Sequence, residues 1–574
     1  MTQWLRVFVV SLLAAQAQAD TLNIEARLSE DAQQLELRYD VPAGVQDLPL
    51  SGQDEVVQAW WAQHAQAAGD CTELLPGLLR LREGCSEARV RVRLASLAAQ
   101  ARYEPAQALG SVGRESGVVS YVGYWLTIVP GHGLQVRLIP PKKGQVLWQG
   151  RWSHRPVQWQ RRADEVAAAI ALREQDRSWL PAIGGHQSVY LGRAPSRALP
   201  GGGRLVFDAR LSPATVDSVE TTLKESIRAL TAAFGEGPGG PVGVMMVQTP
   251  GDIFIGNVSS GRSMVLNIGV DALRADIQGQ LADFVRHEAT HWWNAGVRRS
   301  DSRASWLAEG NAEWWALRLG VMQGAGVDAA VAELEASLNQ CLQMATSLPP
   351  GLRDWRGYPF AMYPCGLSLM ALAQALRSPQ GMSPQELAGM HPRGSVLDAD
   401  VLAAWAGPAF SRVLDAPTFV TALAAAYREA GWAQDVLLED ATGALPSVAS
   451  WMAATSWLGE LMRTDCNGMS YTPAPDRLQI VPVDGLRCRA WPTRGEVVSL
   501  EGVPAVTRPK TAQAALASAC APGAAGRYRL GLAEGPEVTV GCPTRLPAPP
   551  TRLRLDRERV AQWFTPKENS PTVR

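Results

Sequence analysis

Two histidines and a glutamate inside one pentapeptide constrain this chain more than any other feature. The stretch His287-Glu288-Ala289-Thr290-His291 is followed, after a polar spacer, by Trp306-Leu307-Ala308-Glu309-Gly310-Asn311-Ala312-Glu313. Residues four apart share one face of a helix. His287 and His291 therefore aim both imidazoles at one point, with Glu288 on the same turn. Such an H-E-x-x-H arrangement supplies two zinc ligands and a carboxylate able to act as a base. Two histidines can fall on one helix by chance, but the chain has only seven in 574 residues, and two of them sit here. Phe284 and Val285 before the motif, and Trp292 and Trp293 after it, give the helix apolar faces to bury.

A catalytic zinc usually takes three protein ligands and leaves a further position for water. The third ligand must come from beyond the first helix, and the candidates are Asp301, Glu309 and Glu313. Asp301 lies in the polar run 298–303, which reads as a solvated loop. Glu309 and Glu313 stand one helical turn apart among Trp306, Leu307, Trp314 and Trp315. Burying a carboxylate there is costly unless it is paired or bound to a cation. The second helix is therefore favoured, while spacing alone leaves Glu309 and Glu313 both open.

The segments HEATHWW and WLAEGNAEWW resemble the gluzincin metallopeptidases, above all the aminopeptidase N-type family. The resemblance implies Glu309 as the third zinc ligand. It stands eighteen positions after His291, one fewer than in the family. It also implies Glu313 as a carboxylate behind the ligands that orients a ligand histidine, a common need of metal sites. The family's Y-x-K-G segment, whose tyrosine stabilises the oxyanion, is matched by Tyr363-Pro364-Cys365-Gly366, with Cys365 in place of the lysine. The family's upstream G-x-M-E-N segment, whose glutamate anchors the substrate amine, has no counterpart, and residues 249–266 contain no glutamate. Trp293-Asn294 also resembles the W-N pair of the glycyl-aminopeptidase-type family, which places a PDZ domain after its catalytic domain. The likeness is strong over 284–315, fair over 205–375 and weak elsewhere.

Residues 1–19 read as a secretory signal, with Arg6, a short apolar run at 7–15 and Ala17-Gln18-Ala19 for cleavage. No later run is apolar and long enough to span a bilayer. The expectation is an exported protein, periplasmic or secreted, with no transmembrane segment in the mature chain. A formal net charge of −1 gives no case for nucleic acid or an anionic membrane as partner. Eight cysteines in an exported chain suggest disulfides. Neighbour pairing keeps each bridge inside one domain. It would join Cys341 to Cys365, two residues from Tyr363.

The expected organisation is multidomain. A β-rich N-terminal domain covers 20–200, with strands at 21–27, 34–38, 118–129, 134–139 and 146–152 and a helix at 56–68. A thermolysin-like α+β catalytic domain with a helical bundle covers 201–460. In it Ser212-Pro213 starts a helix to about 234, and 244–248 and 263–268 are strands. The second of these is expected to be the edge strand that pairs with an extended substrate. Helices then run over 277–293, 306–319, 329–348, 365–377, 401–406 and 416–430. Residues 461–550 form a small disulfide-containing β domain. Its segment 495–504 has the look of a PDZ strand and turn, with a helix at 511–519 and closing strands at 528–532 and 537–541. Residues 551–574 are expected to be a flexible tail.

The function these residues imply is zinc-dependent hydrolysis of a peptide or protein substrate, with aminopeptidase action as the finer reading. His287, His291 and Glu309 would hold Zn²⁺, Glu288 would be the general base and Tyr363 the oxyanion donor. The rival class is a catalytically inactive, gluzincin-like peptide-binding protein. A zinc hydrolase acting on a non-peptide substrate is a third reading.

Overall fold

The computed structural model describes residues 21–50, 55–94, 106–109, 117–174, 180, 187–235, 237–251, 254–259, 262–271, 278–294, 305–346, 355–357, 361–390, 398–443, 445–468, 470–482 and 485–565. The expected signal at 1–19 and the candidate ligand Asp301 lie outside the described residues. The chain divides into two compact units, 1–295 and 296–574.

The first unit begins with strands whose side chains alternate. In Thr21–Leu28, Leu22, Ile24, Ala26 and Leu28 are buried, while Asn23, Glu25 and Arg27 take the other face. This strand lies inside a six-stranded sheet, between Gly133–Ile139 and Gln34–Asp40. A five-stranded sheet, centred on Ser188–Gly192 between Gln145–Trp148 and Gly117–Tyr121, shares its core. Two strands expected as single runs are broken. The 118–129 run stops at Tyr121 and turns through a 3-10 segment, Val122–Tyr124, where the Trp125 indole donates to Ser120 Oγ at 3.0 Å. The 146–152 run is a hairpin, Gln145–Trp148 against Arg151–Ser153, reversed at Gln149 and Gly150, both at positive φ. An alanine-rich helix, Ala163–Glu174, was not expected from the pattern.

The same unit then builds a five-stranded sheet from β1 (Ser196–Ala198), β2 (Arg204–Phe207), β3 (Gly243–Thr249), β4 (Phe254–Ser259) and β5 (Ser263–Gly269). Its order is β1-β2-β3-β5-β4. The β2, β3 and β5 strands run parallel, and β4 pairs antiparallel to β5 at the edge. This corrects the expectation for 263–268. That segment is β5, buried at every position and flanked on both sides, and the edge belongs to β4. A strand covered by neighbours reads as a near-continuous apolar run, and 264–268 is such a run, broken only by the buried Asn267. Helix α1 (Pro213–Phe234) starts as expected, with Ser212 Oγ accepting from Thr215 N at 3.1 Å and proline in the first turn. It packs against α2 (Gln278–Asn294), where the Phe234 and Trp293 rings stack at 6.2 Å.

The second unit opens with three long helices, α3 (Ser305–Met322), α4 (Val327–Thr346) and α5 (Met362–Arg377). Every residue from Pro364 to Ala375 is buried, so α5 has neighbours all round. It approaches α3 with backbone against backbone. A Cβ on Gly310 would lie 2.2 Å from the Gly366 carbonyl carbon, so only glycines allow this crossing. A disulfide between Cys341 and Cys365 ties α4 to the first turn of α5. The other bridges are Cys71–Cys85, Cys466–Cys488 and Cys520–Cys542, neighbour with neighbour throughout.

Further along the second unit, a sheet of Tyr471–Pro473, Leu478–Ile480, Gly495–Leu500, Arg527–Leu532 and Val538–Gly541 carries the helix Pro509–Ala519. The helix Val448–Arg463 shares its core through Trp457, Leu458 and Leu461. Residues 551–565 are not a loose tail. Thr551–Leu555 pairs with Ala433–Leu437, and Leu553, Leu555, Trp563 and Phe564 are buried. Asn339 of α4 both donates to and accepts from the Leu553 backbone at 2.9 Å, and the buried Arg318 of α3 donates to the Trp563 carbonyl. Burial pushes the Arg318 guanidinium down to about 10.

Candidate metal centre

Helix α2 carries both histidines because its apolar residues have two partners. Leu281, Val285, Ala289, Trp292 and Trp293 are buried. On another side Phe284 stacks on Phe254 of the edge strand β4, with ring centroids 5.8 Å apart. The remaining stripe bears His287, Glu288 and His291. The His287 ring is buried, and its Nε2 lies 3.1 Å from His291 Nε2. Two Zn–N bonds of about 2.0–2.1 Å at a tetrahedral angle place their nitrogens about 3.3 Å apart. The imidazoles thus already stand close to the separation a shared ion would need.

Glu309, half-buried on α3, completes the group. The ligand atoms of His287, His291 and Glu309 all lie within 4.8 Å of one another. Two neutral imidazoles and one carboxylate are the donor set of open, three-ligand zinc sites, so the residues fit that ion. Glu313 lies half-buried one turn further along α3.

Glu288 is only 7% exposed. Its carboxyl group sits over Gly256 of β4, where a Cβ would fall 2.1 Å from the carboxyl carbon. The missing side chain lets the edge strand come up against the candidate base. Tyr363, at 39% exposure, stands in the first turn of α5. The sequence pattern starts that helix at 365, whereas it begins at Met362 and includes the tyrosine.

Two residues were missed by the sequence reading. Gly256 is one, and a glycine inside a strand pattern is its signal. The other is Asn294, fully buried at the end of α2, whose Oδ1 lies 2.8 Å from His291 Nδ1. Its signal is the three-residue helical spacing from His291.

No family model matches the chain, and no curated protein does. Two solved structures resemble parts or all of the chain. One is an aminopeptidase N family protein from Idiomarina loihiensis, at TM-score 0.53 and 12% identity, over 95% of this chain and 100% of that one. Another is yeast LTA4 hydrolase in complex with bestatin, at TM-score 0.36 and 12% identity, over 72% of this chain and 65% of that one. The first likeness is one of fold, and it agrees with the motif resemblance to the aminopeptidase N-type family.

Proposed function

We propose that this protein is an exported zinc-dependent metallopeptidase. The observation that carries the reading is the convergence of His287, His291 and Glu309 within 4.8 Å, with Glu288 on the intervening helical turn. Those three residues would hold Zn²⁺, which when bound polarises a carbonyl and lowers the pKa of a bound water toward 7. Glu288 takes the proton of the attacking water and passes it to the leaving amine. Its burial beside Gly256 holds that carboxylate against the edge strand, where an extended substrate can add as a further strand. Tyr363 donates to the developing oxyanion. The four disulfides suit an oxidising compartment.

The finer reading is an aminopeptidase, supported by the fold likeness to an aminopeptidase N family protein. The division into a signal at 1–19, a β-rich domain to 200, a catalytic domain to 460 and a small disulfide-containing β domain over 461–550, with a PDZ-like fold as its finer reading, belongs to the same proposal. A peptide-library digest tests it. Successive loss of N-terminal residues supports the aminopeptidase, and internal cuts make the enzyme an endopeptidase. Absence of cleavage by zinc-replete protein makes it a peptide binder, a reading favoured by Cys365 occupying the family's lysine position in a disulfide. Glu288→Gln should keep zinc and lower turnover by about 10²–10⁴; parental turnover in that variant refutes the assignment.

A further inference from the structure

We infer that Asn294 is a positioning residue that fixes the tautomer of His291 and so presets the metal centre. The inference rests on the zinc reading above.

Neutral imidazole carries one N–H, and only its other nitrogen has a lone pair to give to a metal. Which nitrogen is protonated is set by the partner of the one that does not bind. In His291 the two ring nitrogens face different groups. Nε2 points at His287 Nε2, 3.1 Å away, on the side where the three candidate ligands converge. Nδ1 lies 2.8 Å from Asn294 Oδ1. An amide oxygen only accepts, so His291 Nδ1 must carry the proton and Nε2 must be left bare. Asn294 is fully buried, at 0% exposure, which keeps bulk water from competing for the contact. It also closes α2, three residues after His291 on the same face, so the helix itself sets the geometry. The ring is thereby held in the ligating tautomer and orientation before any ion arrives.

Zinc affinity of the full chain, measured by competition with a chromophoric chelator, tests this without reference to activity. Asn294→Leu keeps the shape of the side chain and removes the acceptor. It should weaken zinc binding by about 10–100-fold. Asn294→Asp restores an acceptor for the same N–H and should bring affinity back to the parental value or beyond. Thermal melts of the zinc-free forms check folding, and the Asp variant carries the comparison if the Leu variant fails to fold. Parental zinc affinity in Asn294→Leu overturns the inference, as does an equal loss in the Leu and Asp variants. A parent chain that binds no zinc overturns the metallopeptidase reading first, and is distinguished by the parental titration alone.

Discussion

At the scale of single residues, the centre depends on two kinds of side chain, those that donate and one that is absent. Gly256 is the absent one. A methyl group there would strike the Glu288 carboxyl group. Gly256→Ala should therefore displace the base, lowering kcat by at least about tenfold while leaving zinc content intact, since small misplacements of catalytic groups cost rate steeply. Equal kcat in the parent and the variant would show that the carboxylate tolerates the shift. Tyr363→Phe should lower kcat by about 10²–10³, the usual loss for one oxyanion donor, with little change in KM. The pentapeptide was legible because helical periodicity alone places His287 above His291. Gly256 was not, because its role depends on a strand and a helix that meet only after the chain has folded. Asn294 lay in plain view as the third residue after His291, yet in the sequence it stands out only as half of the Trp293-Asn294 pair.

At the scale of elements, the positions of α3 and α5 follow from Gly310 and Gly366. Their contact brings the turn after Glu309 against the turn after Tyr363 within one unit. Overpacking a fitted contact costs about 1–3 kcal/mol, so Gly310→Ala should lower the unfolding free energy by that much in a urea titration. The Cys341–Cys365 bridge pins the same turn of α5 to α4. Replacing both cysteines by serine should cost about 2–4 kcal/mol in the same titration. Neighbour pairing of the cysteines could be read from their order, because each pair falls within one structural region. The edge strand could not be placed so simply. β4 reads Phe254-Ile255-Gly256-Asn257-Val258-Ser259, a short run broken by a glycine, and it was passed over in favour of the more apolar β5. Complete burial of β5 reflects its two flanking strands, so high hydrophobicity marked the interior of the sheet.

At the scale of the whole molecule, β-rich and helical regions follow each other along the chain as hydrophobic periodicity suggests. The clean alternation of Leu22, Ile24, Ala26 and Leu28 made the first region readable. The stretch 551–565 was not readable, because Arg552 and Arg554 flank the inward Leu553 and give it a polar look. Its place is fixed by distant partners, Glu335 and Asn339 of α4, on which Arg552 and Leu553 dock. Binding of an ion by the folded form alone stabilises it by about 4 kcal/mol at a thousand times Kd. Zinc should accordingly raise the melting temperature of the parent, a chelator should reverse the rise, and His287→Ala should show neither effect. The most direct test of the account is the zinc content of the purified chain after dialysis. The account predicts a single zinc per chain in the parent and in Glu288→Gln, and its loss from His287→Ala, His291→Ala and Glu309→Ala. A parent that retains no zinc, or a Glu309→Ala variant that holds it as tightly as the parent, would contradict it.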